Sequence, residues 1–421
     1  MIERLEIENY KSLHKVQLDL PPFAVFVGAN AAGKSNFADA FDFLSIVGRT
    51  GLATAVSNKG GYENICFRRA RRAKGPIRFT LSVVLPVQRQ SRDTYELGFR
   101  YSFAFRAVGE AIGAQYAVEH ECLRMSCLHK ESGEQWPETL LYERRSNAEL
   151  VRASHQGDLG PFVPPTDLLA QVFDQYEEAQ LHEELLLATR LRGLPPFAFL
   201  ADYLSGLRVF QIMPPDARRP GSTSGNREMG KHGENLPAAL QRLERESSQA
   251  HQELLEHLQL AVPTVEAVEL DYVDTRELGL FLRERGIGRK IYASELSDGT
   301  LRTIALFLPL VERDYRLVVI EEPENCTHPW VARQFVEACR HHSAAKQILL
   351  TTHSPVVVDE LQVDELFVVD RQSGQTTVLP ATTKEDVVEV VRNGIMRLGE
   401  YWDSGAMGAV PEQPPLFEST E

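Results

Sequence analysis

The chain is poor in cysteine: five in 421 residues, an odd number, with none in a CxxC spacing. That excludes a disulfide scaffold and points to a reducing compartment, so a cytoplasmic protein is expected. No run of eighteen or more apolar residues free of charge occurs, which argues against a membrane-spanning helix and a membrane partner. A basic excess is also missing. Forty-five Lys and Arg stand against 59 Asp and Glu, a net charge of −14, so any nucleic-acid contact must come from a local patch. Neither an internal repeat nor a sustained heptad pattern is visible. The N-terminus alternates (Ile2, Leu5 and Ile7 among Glu3, Arg4, Glu6 and Glu8) and reads as a strand, not as a secretory signal. What is present is ordinary globular material, 43% hydrophobic and 25% charged, which excludes a wholly disordered chain. The length suggests about two or three domains.

Periodicity divides the chain. A strand over Ile2 to Ile7, a turn at 9–12 and a strand through Val16 and Leu18 lead to Phe23-Ala24-Val25-Phe26-Val27, an uninterrupted apolar run that fits a strand buried on both faces. Phe37, Phe41, Leu44 and Val47 then recur at helical spacing. Period-two runs between 77 and 145 predict an antiparallel meander, closing a first lobe at 1–150. Residues 151–264 read as a mainly helical insert, with one helix over 237–260 and a mobile Pro/Gly/Ser-rich loop at 214–233. From 265 to 400, helices at 299–312 and 329–341 alternate with strands at 316–321, 347–351 and 365–370, the pattern of a parallel sheet covered by helices. Residues 401–421 read as a tail, rich in Pro and Glu and loose after about Val410. The fold class expected is α/β.

Gly28-Ala29-Asn30-Ala31-Ala32-Gly33-Lys34-Ser35 matches G-x-x-x-x-G-K-[ST], with an apolar strand before it and an amphipathic helix after it. Small residues let the backbone wrap a polyphosphate while N–H groups at a helix start point at the anion. Lys34 would meet the β- and γ-phosphates of ATP, and the Ser35 hydroxyl would ligate Mg²⁺.

Later segments specify the machine. Leu296-Ser297-Asp298-Gly299-Thr300 opens a helix and resembles the signature of ABC ATPases, with Ser297 and Gly299 offering a second anion site. Leu317-Val318-Val319-Ile320-Glu321-Glu322-Pro323 resembles a Walker B strand. By strand alternation the two acids face opposite ways: Glu321 toward the Mg²⁺ shell, and Glu322 toward the attacking water as catalytic base. Glu324 and Asn325 fall at the D-loop position. Ile348 to Thr352 lead to His353, which resembles the γ-phosphate-contacting switch histidine. Ser297 to Glu322 is 25 residues and Glu322 to His353 is 31, each room for a helix and a strand.

Ile7-Glu8-Asn9-Tyr10-Lys11-Ser12-Leu13, Asn30, and Asn36 after Ser35 resemble the RecF/SMC branch and not transporter ATPases. The 261 residues between Ser35 and Leu296 carry no long coil, so the chain resembles a coil-less ABC-type head, similar to short AAA-family ATPases of the OLD and phage-defence type. The resemblance implies an α/β head with mixed sheet, β-meander and helical insert. It also implies ATP and Mg²⁺ as cofactors, a homodimer sandwiching ATP between the phosphate loop of one copy and the signature of the other, and a role in DNA repair or phage defence. Glu321 replaces the usual Walker B aspartate, and no Q-loop glutamine stands out. Only 68 residues follow His353, which leaves no room for a Toprim nuclease in cis, so a separate effector is expected. The other reading, from a different class, is a nucleotide-dependent scaffold or sensor in which turnover is incidental.

Weaker signals remain. Arg68, Arg69, Arg71, Arg72 and Lys74 form a cationic run that suits DNA phosphates, or equally a solvated turn or an acidic partner. Arg218-Arg219 is a second, smaller pair. His120-x-Cys122 and Cys127-x-His129 have zinc-compatible residue types. His341-His342 reads as an exposed helix end.

Overall fold

The computed structural model describes residues 1–68, 75–88, 93–108, 115–145, 150–152, 162–163, 171, 173, 186–225 and 227–408. In chain order the strands are β1 (Ile2–Tyr10), β2 (Leu13–Asp19), β3 (Phe23–Val27), β4 (Ile77–Gln88), β5 (Thr94–Val108), β6 (Gln115–His129), β7 (Gln135–Arg145), β8 (Leu150–Arg152), β9 (Leu207–Phe210), β10 (Gly221–Ser222), β11 (Val265–Asp274), β12 (Glu277–Glu284), β13 (Ile291–Tyr292), β14 (Leu317–Glu321), β15 (Gln347–Thr352), β16 (Leu366–Gln372) and β17 (Gln375–Pro380). The helices that matter below are α1 (Lys34–Thr50), α2 (Leu236–Glu246), α3 (Ser248–Ala261), α4 (Asp298–Val311) and α5 (Pro329–His342).

Two compact units result, each discontinuous in sequence. One comprises Met1–Pro21, Asp39–Leu207 and Gln372–Val378; the other Pro22–Ala38, Arg208–Arg371 and Leu379–Glu421. The first unit holds an antiparallel sheet in the order β2-β1-β4-β5-β6-β7-β8. Its inner face is aromatic. Phe43 of α1 stacks on Phe79 and Phe105, and Phe103 continues the ladder, so ring contacts add to plain area burial. The meander is therefore built onto the N-terminal hairpin, with β1 pairing β4 from Ile2↔Val83 to Glu8↔Arg78.

The second unit is built on a sheet with the strand order β16-β3-β15-β14-β9. β14, β15, β3 and β16 run parallel, and β3, β14 and β15 are buried along their whole length. Burial on both faces explains why these strands read as unbroken apolar runs. Leu301, Ile304, Ala305 and Leu308 of α4 belong to the same core as Val318 and Ile320 of β14.

Several expectations need correction. The helix read over 237–260 is two helices: Ser247 is extended (φ −151°, ψ 93°) and its hydroxyl accepts from Ala250 N at 3.2 Å, ending α2 and capping α3. The 214–233 segment is not an unstructured loop in its described residues. It holds a helical turn at Pro214–Ala217 and strand β10, and its end is tied by Gln211 N→Lys231 O and Met213 N→His232 O. The start of the tail, residues 401–408, is packed, with Trp402 and Met407 buried; the part read as loose, after about Val410, lies outside the described residues. Of the insert read as mainly helical over 151–264, the described residues include the helix Phe197–Ser205. Among the described residues, no helix is long and apolar enough to cross a membrane.

Candidate functional site

The phosphate-loop motif joins β3 to α1. Gly28 is buried, and a Cβ there would stand 2.3 Å from the Val369 carbonyl oxygen, so only glycine lets the loop leave β3 beside β16. Ala31 (φ 65°) and Gly33 (φ 110°) take left-handed conformations that curl the loop. Lys34 begins α1 at 5% exposure, and its ammonium donates to the carbonyls of Gly28 at 2.6 Å and Ala29 at 3.1 Å. Burial lowers its pKa, against the opposing pull of the Glu322, Glu324 and Glu321 carboxylates. Asn30, Ala31 and Ser35 are exposed, while Ala32 is buried and Asn36 half-buried. Arg371 reaches the Ala31 carbonyl at 3.4 Å.

β14 delivers the acidic pair. Glu321 ends the strand at 3% exposure, with the Lys231 ammonium 3.7 Å away. The divergence of Glu321 and Glu322 does not come from strand alternation as expected. Glu322 lies past the strand end in a left-handed conformation (φ 48°) that ordinarily costs a non-glycine residue about 1–3 kcal/mol. Two hydrogen bonds hold it there: its N–H donates to Thr351 O at 2.8 Å, and the buried Arg302 guanidinium donates to its carbonyl at 2.7 Å. Arg302 also donates to Ile212 O, and desolvation lowers its pKa. Asn325 Nδ2 donates to Glu322 Oε2 at 2.6 Å, which fixes the side chain as well.

His353 follows β15. Its Nδ1 lies 3.5 Å from Glu322 Oε1 and 3.6 Å from Glu324 Oε1. Glu324 Oε1 accepts from Thr352 Oγ1 at 2.6 Å and from His353 N at 3.2 Å, placing the histidine. His353 Nδ1 and Glu324 Oε2 are buried with no hydrogen-bond partner, the state of polar atoms that a bound ligand can satisfy.

Ser297 caps α4: its hydroxyl accepts from Thr300 N at 3.1 Å and shares a hydrogen bond with Thr300 Oγ1 at 2.8 Å. Ser297 and Asp298 are exposed. A Cβ on Gly299 would stand 2.8 Å from Cys326 O, so the helix start packs closely on the segment after Glu322. Arg218, from the segment read as a loop, organises this end. It donates to the carbonyls of Ala293 (3.1 Å) and Leu296 (2.9 Å) and to Asp298 Oδ1 (2.7 Å). The structure thus brings Lys34, Glu321, Glu322, Glu324 and His353 together, and places Ser297 and Gly299 on the same unit at a solvent-facing helix start. Arg302 and Arg218 were missed as site residues, with the doublet at 218–219 as a local hint of the second, whereas Glu324 had been placed at the D-loop position.

The weaker signals resolve differently. Arg68 pairs with Glu63; Arg69, Arg71, Arg72 and Lys74 lie outside the described residues. Cys122 and Cys127 sit on the same continuous strand, roughly 17 Å apart at ~3.4 Å per residue, so their pairs cannot converge on one zinc. His342 is not an exposed helix end: it is 8% exposed, against His257 of α3.

Parallel strands carrying a phosphate loop, an acidic strand end and a following histidine, with a serine-capped helix on the same unit, form an arrangement similar to that of an ABC-type ATPase head. Family comparison agrees: residues 174–359 match the family described as "AAA domain, putative AbiEii toxin, Type IV TA system", and residues 1–50 match "AAA ATPase domain". The chromosome partition protein Smc of Methanocaldococcus jannaschii is 39% identical over 59 residues, which is 14% of this chain and 5% of that protein. Among solved structures, the Smc head bound to the C-winged helix domain of ScpA is 13% identical, covering 90% of this chain and 97% of that one, with a TM-score of 0.47. The SMC head domain from Thermotoga maritima is 14% identical, with 90% and 98% covered and a TM-score of 0.41. The Pyrococcus furiosus Smc head bound to a ScpA domain is 15% identical, with 93% and 99% covered and a TM-score of 0.44.

Proposed function

We propose that the chain binds and hydrolyses ATP, and that two copies close around nucleotide to drive a separate effector in phage defence or DNA repair. The observation that carries the reading is Glu322. Its backbone is held in a costly conformation by Arg302 and Thr351, its side chain is fixed by Asn325, and it stands beside His353 and within the field of Lys34. Strain of this kind persists where surrounding structure over-determines a residue, and it clusters at sites of chemistry.

The donor set fits ATP and Mg²⁺. Gly28, Asn30, Ala31, Ala32, Gly33 and Asn36 form the loop around the phosphates, with Lys34 exchanging its loop carbonyls for phosphate oxygens. Ser35 and Glu321 are the Mg²⁺-holding groups. Bound Mg²⁺ supplies neutralisation of charge on the phosphate oxygens. Glu322 takes the proton of the attacking water, and His353, positioned by Glu324, donates toward the γ-phosphate. Ser297 is exposed and Gly299 half-buried at their helix start, which suits an anion brought by a second copy. The AbiEii wording of the matched family supports the defence role over repair.

The test is ATP turnover. Glu322→Gln and Lys34→Ala should each abolish it, whereas an equal mixture of Lys34→Ala and Ser297→Arg chains should recover part of it through one intact composite site. A mixture as inactive as its parts would defeat the shared-site reading. A Glu322→Gln chain that still performs the cellular function would indicate a scaffold.

A further inference from the structure

We propose that Glu253, His257 and His342 form a zinc site separate from the ATPase machinery. Glu253 and His257 are four residues apart on α3 and so share one helix face. His342 is the last residue of α5. His257 Nε2 lies 3.0 Å from His342 Nε2, and His342 Nε2 lies 3.6 Å from Glu253 Oε1. All three ligand atoms fall within 4.8 Å of one another. Two nitrogens on a tetrahedral zinc, each ~2.05 Å from the ion, stand about 3.3 Å apart. The imidazole pair therefore has to open by only a few tenths of an ångström.

The rings face each other through the same atom, Nε2. As a neutral pair they can share only one proton, one ring donating and the other accepting. A metal ion between them uses both lone pairs and adds the carboxylate. His342 is 8% exposed and His257 half-buried, so an ion held between the two rings would be shielded from bulk water. The rings are also held in place: His257 stacks on Phe307 of α4 at 5.5 Å, and His342 meets the His341 ring edge-on at 5.3 Å. Lys346, whose charge bears on His342, has its ammonium engaged by the carbonyls of Pro309 and Glu312. Two imidazoles and one carboxylate suit zinc, whereas Mg²⁺ and Ca²⁺ prefer oxygen ligands. The fourth position is open to water. Because α3 and α5 both pack on α4, an ion here would staple two helices across the helix that Ser297 opens.

The experiment uses the full chain without a polyhistidine tag, stripped by chelator and kept free of nucleotide. It is titrated with Zn²⁺ by calorimetry and with Co²⁺ by visible absorption. The expected result is one ion per chain, tetrahedral Co²⁺ bands and a raised melting temperature. His257→Gln and His342→Gln should each remove the bands. Glu253→Gln, at a partly exposed position, should leave the fold intact and weaken Zn²⁺ binding by roughly tenfold or more. If the histidine variants do not fold, Glu253→Gln decides alone. Absence of the bands in the parent chain, or affinity unchanged by Glu253→Gln, overturns the site.

Discussion

Arg218 shows how much of the site depends on single side chains from distant sequence. Its three hydrogen bonds gather residues 293–298, which arrive some 80 positions later. Arg218→Ala leaves two carbonyls and the Asp298 carboxylate without their donor, and the start of α4 loses its clamp. Nucleotide affinity at the phosphate loop should stay at the parental level, because Lys34 and its neighbours are untouched. ATP turnover per chain should become limiting at low protein concentration, where pairing of copies controls the rate. Rates measured over a protein dilution series check this; a parental concentration dependence contradicts it. At this scale the proximity of Lys34, Glu321, Glu322 and His353 could be anticipated, because each lies in a contiguous motif bounded by an apolar strand. Arg302 could not be anticipated. Arg302 reads as one more cation on an amphipathic helix until its two carbonyl partners, Ile212 and Glu322, are known.

Among the elements, the parallel strands were readable because burial on both faces leaves an unbroken apolar run, as in Leu317–Ile320 and Ile348–Leu350. β7 was not, since its exposure pattern shows no clean alternation and it pairs irregularly with β6. The α2–α3 break was hidden as well, because apolar spacing continues through Ser247 and only its capping bond marks the interruption. The turn joining α5 to β15 carries a second consequence. Lys346 there is buried with its ammonium on Pro309 and Glu312, and desolvation lowers its pKa to about 8. An unfolded lysine titrates near ~10.4, so between these values the unfolded chain binds more protons and rising pH stabilises the fold. Denaturant unfolding of the parent and of Lys346→Met should show the parent gaining stability relative to the variant from pH 8 to 10. A constant difference would contradict the assignment.

For the molecule as a whole, nucleotide-dependent pairing has a direct reading in solution size. Glu322→Gln retains the loop and the signature while losing the base, so with ATP and Mg²⁺ it should run at twice the 47.3 kDa chain mass. Without nucleotide it should run at the single mass. Light scattering coupled to size exclusion measures both, and a mass unaffected by ATP contradicts pairing around nucleotide. Lobe membership was the least legible property. Apolar periodicity is local, whereas β3 belongs with strands far downstream and β1 with the meander.

That placement of β3 bears on how the protein is made. β3 ends at Val27, and its neighbour β15 begins at Gln347, about 320 residues later. At ~5–20 residues per second, a ribosome needs tens of seconds to supply that partner. Throughout this interval five consecutive hydrophobic residues protrude from the nascent chain with nothing native to pair with. The nucleotide pocket can therefore be assembled only after β15 and the histidine that follows it have been synthesised.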